Sequence, residues 1–264
     1  MDELERVARA AVSDAGDLLR SRWRTAKTVG YKGAVDLVTD SDRASEALVV
    51  SRLQQAFPEH HIVAEEASSG ATLPRPHPGA HVWYLDPLDG TTNFAHGYPQ
   101  FCVSLALAHG AELQFGIVYD PVRDETFVAQ RGRGATLNGE PIRVSAVDDL
   151  DRALVGTGFP YDRRLRTDFY LGFVADFITR AQDVRRAGAA ALDLCYVACG
   201  RFDGFWEWRL QPWDTAAGAL IVREAGGRVS DFRGEGFDLY GEQTLASNGF
   251  LHAAMIGVLT ARLG

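Results

Sequence analysis

Leu4, Val7, Ala8, Ala11, Val12, Ala15, Leu18 and Leu19 recur at helical spacing and predict an amphipathic first helix. Residues 27–38 break that rhythm; short and glycine-containing, they read as a hairpin or a mobile loop. Ser41 and Asp42 are placed to cap a second helix running to about Phe57, where Pro58 stops it. A brief strand over 61–64 ends on Glu65 and Glu66, and the three prolines within 72–79 mark a loop. The apolar run 82–85 predicts a buried strand ending on Asp86, followed by a turn at Pro87. Residues 101–108 and 113–119 predict paired strands, 125–130 and 135–137 continue their sheet, and Asn138-Gly139 signals a hairpin.

The second half has a different pattern. A strand over 153–157 precedes a helix over 166–180 and a small-residue-rich helix over 187–198. Then come a strand over 203–208, a helix over 215–225 closed by Gly226-Gly227, strands over 227–232 and 244–247, and a last helix from about Leu251. Such blocks predict an α+β chain of layered sheets and helices, with halves 1–150 and 151–264.

Composition narrows the partners. The 264 residues carry a formal charge of −8 and no basic stripe, which argues against a nucleic-acid surface. An anionic substrate still fits if bound cations invert the local field. Cys102, Cys195 and Cys199 form no CxxC pattern, and the last two, four apart on an apolar helix, read as core. The N-terminus is acidic rather than signal-like, and no run is long enough for a membrane span, so a cytoplasmic protein is expected.

The candidate chemistry gathers at one strand end. Asp86 and Asp89 are carboxylates of the kind a hard cation prefers. Gly90, Thr91 and Thr92 follow, offering hydroxyls and N–H groups where a helical turn starts, which suits a phosphate. Two carboxylates rarely complete a divalent site. Glu65, at the end of the preceding strand, is one candidate to join them. Asp214, near the start of the 212–218 segment, is another, though it could simply be a helix cap. Asp42 has the same ambiguity, and Glu66 could be a surface neighbour of Glu65. Neither Cys102 nor Ser104 has the partners of a nucleophile. Adjacent His60 and His61 point opposite ways on a strand, against a zinc site, and His96 reads as a hydrogen-bonding residue. Phe202, Phe205, Trp206, Trp208 and Trp213 read as core or interface.

Asp86-Pro-Leu-Asp-Gly-Thr-Thr-Asn-Phe94 and Trp213-Asp-Thr-Ala-Ala-Gly218 resemble the two signature motifs of the inositol monophosphatase family, which belongs to the magnesium-dependent, lithium-sensitive sugar phosphatases. Asp36-Leu-Val-Thr-Asp-Ser-Asp42, the Glu65-Glu66 pair and Gly226-Gly227 follow the same order and spacing. The resemblance spans about residues 5–260 and implies a layered α-β-α-β-α sandwich that binds two to three Mg²⁺ ions. It implies metal ligands at Glu65, Asp86, Asp89 and Asp214, with the Leu88 carbonyl. Glu65, Thr91 and Asp42 are implied to be catalytic, the last two orienting a water. Gly90, Thr91 and Thr92 would bind phosphate, while Gly188, Ala189, Ala190 and Glu207 would face a cyclitol or sugar. Ala189 lacks the hydroxyl some relatives carry, and Arg209 replaces a small residue, either reshaping the alcohol pocket or pointing to solvent. Arg185 and Arg186 could contact substrate in this chain or in a partner subunit. The implied activity is hydrolysis of inositol 1-phosphate or a similar small polyol phosphate, by a homodimer. Another function class is a silent interaction scaffold, whose signature would be a degenerate site.

Overall fold

Helix α1 (Asp2–Arg22) and helix α2 (Asp40–Ala56) pack side by side, and their apolar stripes need a sheet to cover them. That sheet has seven strands: β3 (His61–Ala64), β4 (His81–Asp89), β5 (Cys102–His109), β6 (Glu112–Asp120), β7 (Glu125–Gln130), β8 (Ala135–Leu137) and β9 (Glu140–Pro141), in sequence order. Only β3 and β4 run parallel; the other neighbours are antiparallel. The computed structural model describes residues 2–25, 29–31, 37–68, 70 and 73–263. Within 27–39, β1 (Val29–Tyr31) and β2 (Leu37–Thr39) pair antiparallel. Residues 32–36, Asp36 among them, lie outside the described residues.

Strand alternation assigns the faces. On β4, Trp83 and Leu85 join Ala8, Val12, Val49 and Leu53 beneath α1 and α2. Val82 and Tyr84 face the other way, with Cys102, Ala106 and Val118, toward two helices from the second half. These are α6 (Ala190–Ala198) and α7 (Pro212–Glu224). Gly116 on β6 makes the close approach of α7 possible, since a Cβ there would stand 3.0 Å from the Ala217 backbone. Covered on both faces, β5 is buried over seven consecutive residues and shows no polar alternation.

The far side of α6 and α7 meets a five-stranded sheet with order β11 (Asp183–Arg185), β10 (Leu154–Thr157), β12 (Gly204–Trp208), β14 (Gln243–Ser247) and β13 (Arg228–Ser230). Phe205 and Ala246 face those helices. Val155, Trp206 and Leu245 face α5 (Thr167–Ile178) and α8 (His252–Leu263). There Trp206 stacks on Phe177 with ring centroids 3.9 Å apart. The order of layers is therefore α1/α2, seven strands, α6/α7, five strands, α5/α8: an α-β-α-β-α sandwich.

Four local readings need correction, and one short strand goes unread. Thr39, not Ser41, caps α2: its hydroxyl accepts from the Ser41 N–H, and Asp42 accepts from the Thr39 N–H at 2.8 Å. Helix α6 starts at Ala190 rather than 187, and α7 starts at Pro212, three residues earlier than its apolar run suggests. Strand β11 is too short, at three residues, to leave a periodic signal. Pro87 does not make a turn; β4 continues through it to Asp89 with a bulge.

Candidate active site

That bulge solves a problem of direction. On a regular strand, residues three apart point to opposite faces. Here Asp86 pairs with Ser104 and Asp89 with Cys102, so three steps on β4 match two on β5. The extra residue resets the alternation and brings both carboxylates to the α6/α7 side. Leu88 donates its N–H to Asp86 Oδ1 at 3.0 Å inside the bulge. Ser45 on α2 holds the same segment through a 2.7 Å bond to the Pro87 carbonyl.

The chain then turns sharply into α4 (Thr91–Ala95), with Gly90 as its N-cap at φ +93°. Only glycine fits, because a Cβ would meet the Gln100 carbonyl at 2.7 Å. Thr91 Oγ1 sits 2.9 Å from Asp42 Oδ1 and 3.1 Å from the Leu88 carbonyl. Burial pushes the Asp42 carboxyl up, against hydrogen bonds from Thr39 and Thr91 that pull it down.

The second half contributes from three elements. The first N–H groups of α6 hold Asp89: Ala190 donates to Oδ1 at 3.2 Å and Ala191 to Oδ2 at 2.7 Å. Asp214 is the third residue of α7 and accepts from the Gln211 N–H at 2.6 Å, so it closes a helix start and still faces the cleft. Glu207 comes from β12. Together with Glu65, at the head of the short helix α3 (Glu65–Ser68), these groups line a cleft of about 430 Å³. The lining also includes Asp86, Leu88, Gly90, Thr91, Thr92, Gly188, Ala189 and Ala190. Thus of the implied site residues all but Asp42 line one cleft, and Asp42 touches it through Thr91.

The electrostatics are those of crowded carboxylates. Asp86 is 2 % exposed, and burial and the charges of Glu65, Asp89 and Asp214 push its carboxyl well above the usual range. Asp214 is driven upward by burial and by Glu65 and Asp89. Asp89 rises to about 6, burial outweighing its α6 hydrogen bonds and the Arg186 charge. Glu207 rises to about 8, chiefly through burial. So many buried carboxylates at one point need a compensating positive charge. An all-oxygen donor set fits a hard divalent cation. Among the described residues no group of three or more His, Cys, Asp or Glu side chains is arranged to hold a metal ion as it stands. Glu65 and Asp86 share a hydrogen bond instead.

Two residues of the site left little trace in the sequence. Asn93 Nδ2 donates to the Gln100, Ala187 and Gly188 carbonyls, at 2.7, 2.9 and 3.2 Å, and so fastens the Gly188 segment to α4. Asp193 on α6 is buried near Asp89 and Glu207 with Oδ1 unpartnered. An Asn inside the motif and a lone carboxylate in an apolar helix were the only signals. Arg186 lines the cleft, whereas Arg185 pairs with Asp183 on the surface at 2.5 Å. His96 is exposed and does not line the cleft. His60 stacks on His81 and accepts from Trp83 Nε1 at 3.1 Å.

Known proteins match this arrangement. Over 239 residues the chain is 48 % identical to the Nus factor SuhB of Pseudomonas aeruginosa, covering 89 % of this chain and 87 % of the relative. It is 43 % identical over 261 residues to inositol monophosphatase 2 of Solanum lycopersicum, covering 98 % of each. Among solved structures, the inositol monophosphatase of Anabaena (Nostoc) superposes with a TM-score of 0.87 at 38 % identity, over 98 % of this chain and 96 % of that one. The extragenic suppressor protein suhB of Bartonella henselae gives 0.90 at 36 %, over 97 % and 98 %. The family's sequence pattern itself matches residues 1–262, and with it the chain belongs to the inositol monophosphatase family.

Proposed function

We propose that the chain hydrolyses inositol 1-phosphate to inositol and phosphate, with two to three Mg²⁺ ions as cofactor. The observation that carries this reading is the convergence of Glu65, Asp86, Asp89 and Asp214 beside the Thr91–Asp42 pair. Those four carboxylates and the Leu88 carbonyl would hold the metal. When bound, such ions acidify a water and stabilise the departing alkoxide oxygen.

The chain's own residues supply the remaining work. Thr91 Oγ1, its proton directed to Asp42 Oδ1, presents a lone pair that fixes one hydrogen of the attacking water. Asp42, whose carboxyl burial keeps protonatable, takes the proton relayed through Thr91. Gly90, Thr91 and Thr92 hold the phosphoryl oxygens in line with that water. Glu207, Gly188, Ala189 and Ala190 line the part of the cleft that receives the cyclitol hydroxyls. Displacement is direct, and no phosphoenzyme forms.

Phosphate release with and without Mg²⁺ tests this on inositol 1-phosphate, fructose 1,6-bisphosphate, histidinol phosphate, NADP and 3′-phosphoadenosine 5′-phosphate. Magnesium-dependent turnover, strongest on inositol 1-phosphate and lost in Asp86→Asn, is expected. A different best ester keeps the chemistry and moves the substrate. Near-normal turnover by Asp86→Asn overturns the metal assignment. The relatives named Nus factors favour a second reading, a scaffold that acts through a partner, and silence on every ester would favour it. Sedimentation equilibrium checks the homodimer that belongs to the first reading.

A further inference from the structure

The two ends of the cleft come from different halves of the chain. Gly90, Thr91 and Thr92 belong to the first, and Gly188, Ala189, Ala190 and Glu207 to the second. An ester held at both ends reacts only if the spacing between them is right, and small misplacements are costly. One link across the cleft is Asp89, which accepts from the first N–H groups of α6. Another is Asn93, the third residue of α4, which contributes nothing to the metal-type donor set.

The surroundings of Asn93 settle which end of its amide is which. One terminal atom faces the Gln100, Ala187 and Gly188 carbonyls, and only an NH₂ group can meet three acceptors there. The Gln100 carbonyl is also the one that packs against Gly90. Ala187 and Gly188 lead directly into α6. Gly188 has φ +87°, and a Cβ there would stand 3.3 Å from Asn93 Nδ2, so the segment lies close against the amide. A single side chain therefore touches the back of the phosphate-side turn and the strip of backbone that lines the alcohol side. We infer that Asn93 is a positioning residue that sets the spacing between phosphate and alcohol, and so serves recognition of cyclitol hydroxyls more than phosphate transfer in general. This rests on the phosphatase reading above. An ester whose alcohol bonds to residues 188–190 and Glu207 depends on that spacing, whereas an aryl phosphate without hydroxyls does not.

A second tie between the halves provides the comparison. Arg201, just beyond α6, pairs with Glu125 at the start of β7 through two bonds of 2.6 and 2.5 Å, and neither residue lines the cleft. The test measures kcat/KM with Mg²⁺ on inositol 1-phosphate and p-nitrophenyl phosphate, for wild type, Asn93→Ala, Asn93→Asp and Arg201→Gln. Amide hydrogen exchange over residues 186–191 is read beside it. Both Asn93 variants should lose about tenfold more on the inositol ester than on the aryl ester, and exchange in the segment should accelerate. Arg201→Gln should keep the wild-type ratio. Each ratio is taken on one preparation, so an unfolded fraction cancels, and a change that only weakens the fold leaves it unmoved. Equal losses on the two esters in the Asn93 variants overturn the inference, as does the same shift in Arg201→Gln or unchanged exchange. A wild type that turns over neither ester, or the aryl ester alone, defeats the substrate reading instead, and the exchange comparison then decides whether Asn93 holds the segment.

Discussion

Thr91 Oγ1 and Asp42 Oδ1 stand 2.9 Å apart and link the first turn of α4 to the first turn of α2. A hydroxyl in that place can orient a water, whereas an isosteric methyl cannot. Thr91→Val should lower kcat by about two orders of magnitude or more with the thermal midpoint little changed. Thr91→Ser should keep most of the activity. A Thr91→Val enzyme with normal kcat would remove Thr91 from the mechanism.

Asp42 does structural work as well, accepting from the Thr39 N–H. Asp42→Asn should therefore lower both activity and stability, the latter by about 1 kcal/mol as expected for a weakened helix cap. Urea denaturation read beside kcat separates the two effects. A loss of stability alone would make Asp42 a cap and nothing more.

Glu207 gives the metal-free protein a pH dependence. Its carboxyl is raised from 4.5 to about 8 in the folded state, mainly by burial. A raised carboxyl contributes stability that is fully present below the unfolded value and lost as pH rises through the folded one. In EDTA the thermal midpoint should fall between pH 5 and 8, and Glu207→Gln should make that fall shallower. Equal slopes in the two proteins would count against the buried, uncompensated state of Glu207.

His252 acts on the acid side. Its ring bridges Ser230 Oγ through Nε2 and Ser247 Oγ through Nδ1, each at 2.8 Å, and burial lowers its pKa from 6.5 to about 4. The folded state holds the neutral ring, so stability is intact above 6.5 and declines as pH falls toward 4. His252→Gln should melt lower at neutral pH and lose less further stability on acidification. Parallel curves from pH 7 to 4 would place the acid sensitivity elsewhere.

Gly90→Ala should destabilise the fold by about 1–3 kcal/mol and abolish turnover, because the left-handed turn and the Gln100 carbonyl both exclude a Cβ. Chemical denaturation and phosphate release measure the two losses. A variant as stable as wild type would show that the turn can relax around a methyl group.

Periodicity made most of the fold legible. The α1 stripe, the β5–β6 pair and the Asn138-Gly139 hairpin stand where the sequence predicts them. What stayed hidden depended on geometry. Pro87 looks like a turn because a proline normally ends a strand; the bulge that accommodates it is visible only in the pairing with β5. Asn93 reaches carbonyls about 94 residues away, a contact that no local pattern encodes. A catalytic role for Asp42 is implied by the resemblance alone, since an acid near a helix start is ordinarily a cap. Arg209 was open between pocket and solvent; it lines the pocket while half its side chain remains wet.

The bulge at Pro87 also bears on how this segment can change over time. Side-chain identity at Pro87 or Leu88 is one constraint, but the number of residues between Asp86 and Asp89 is a stricter one. Deleting Leu88 would restore a regular pleat with both carboxylates still on one face, but it would remove the Leu88 N–H that Asp86 accepts from and the Leu88 carbonyl beside Thr91, and would draw the Gly90 turn one residue back along the strand. Substitutions there can be graded in their effects; insertions and deletions cannot. Length, more than composition, is what this stretch has to inherit unchanged.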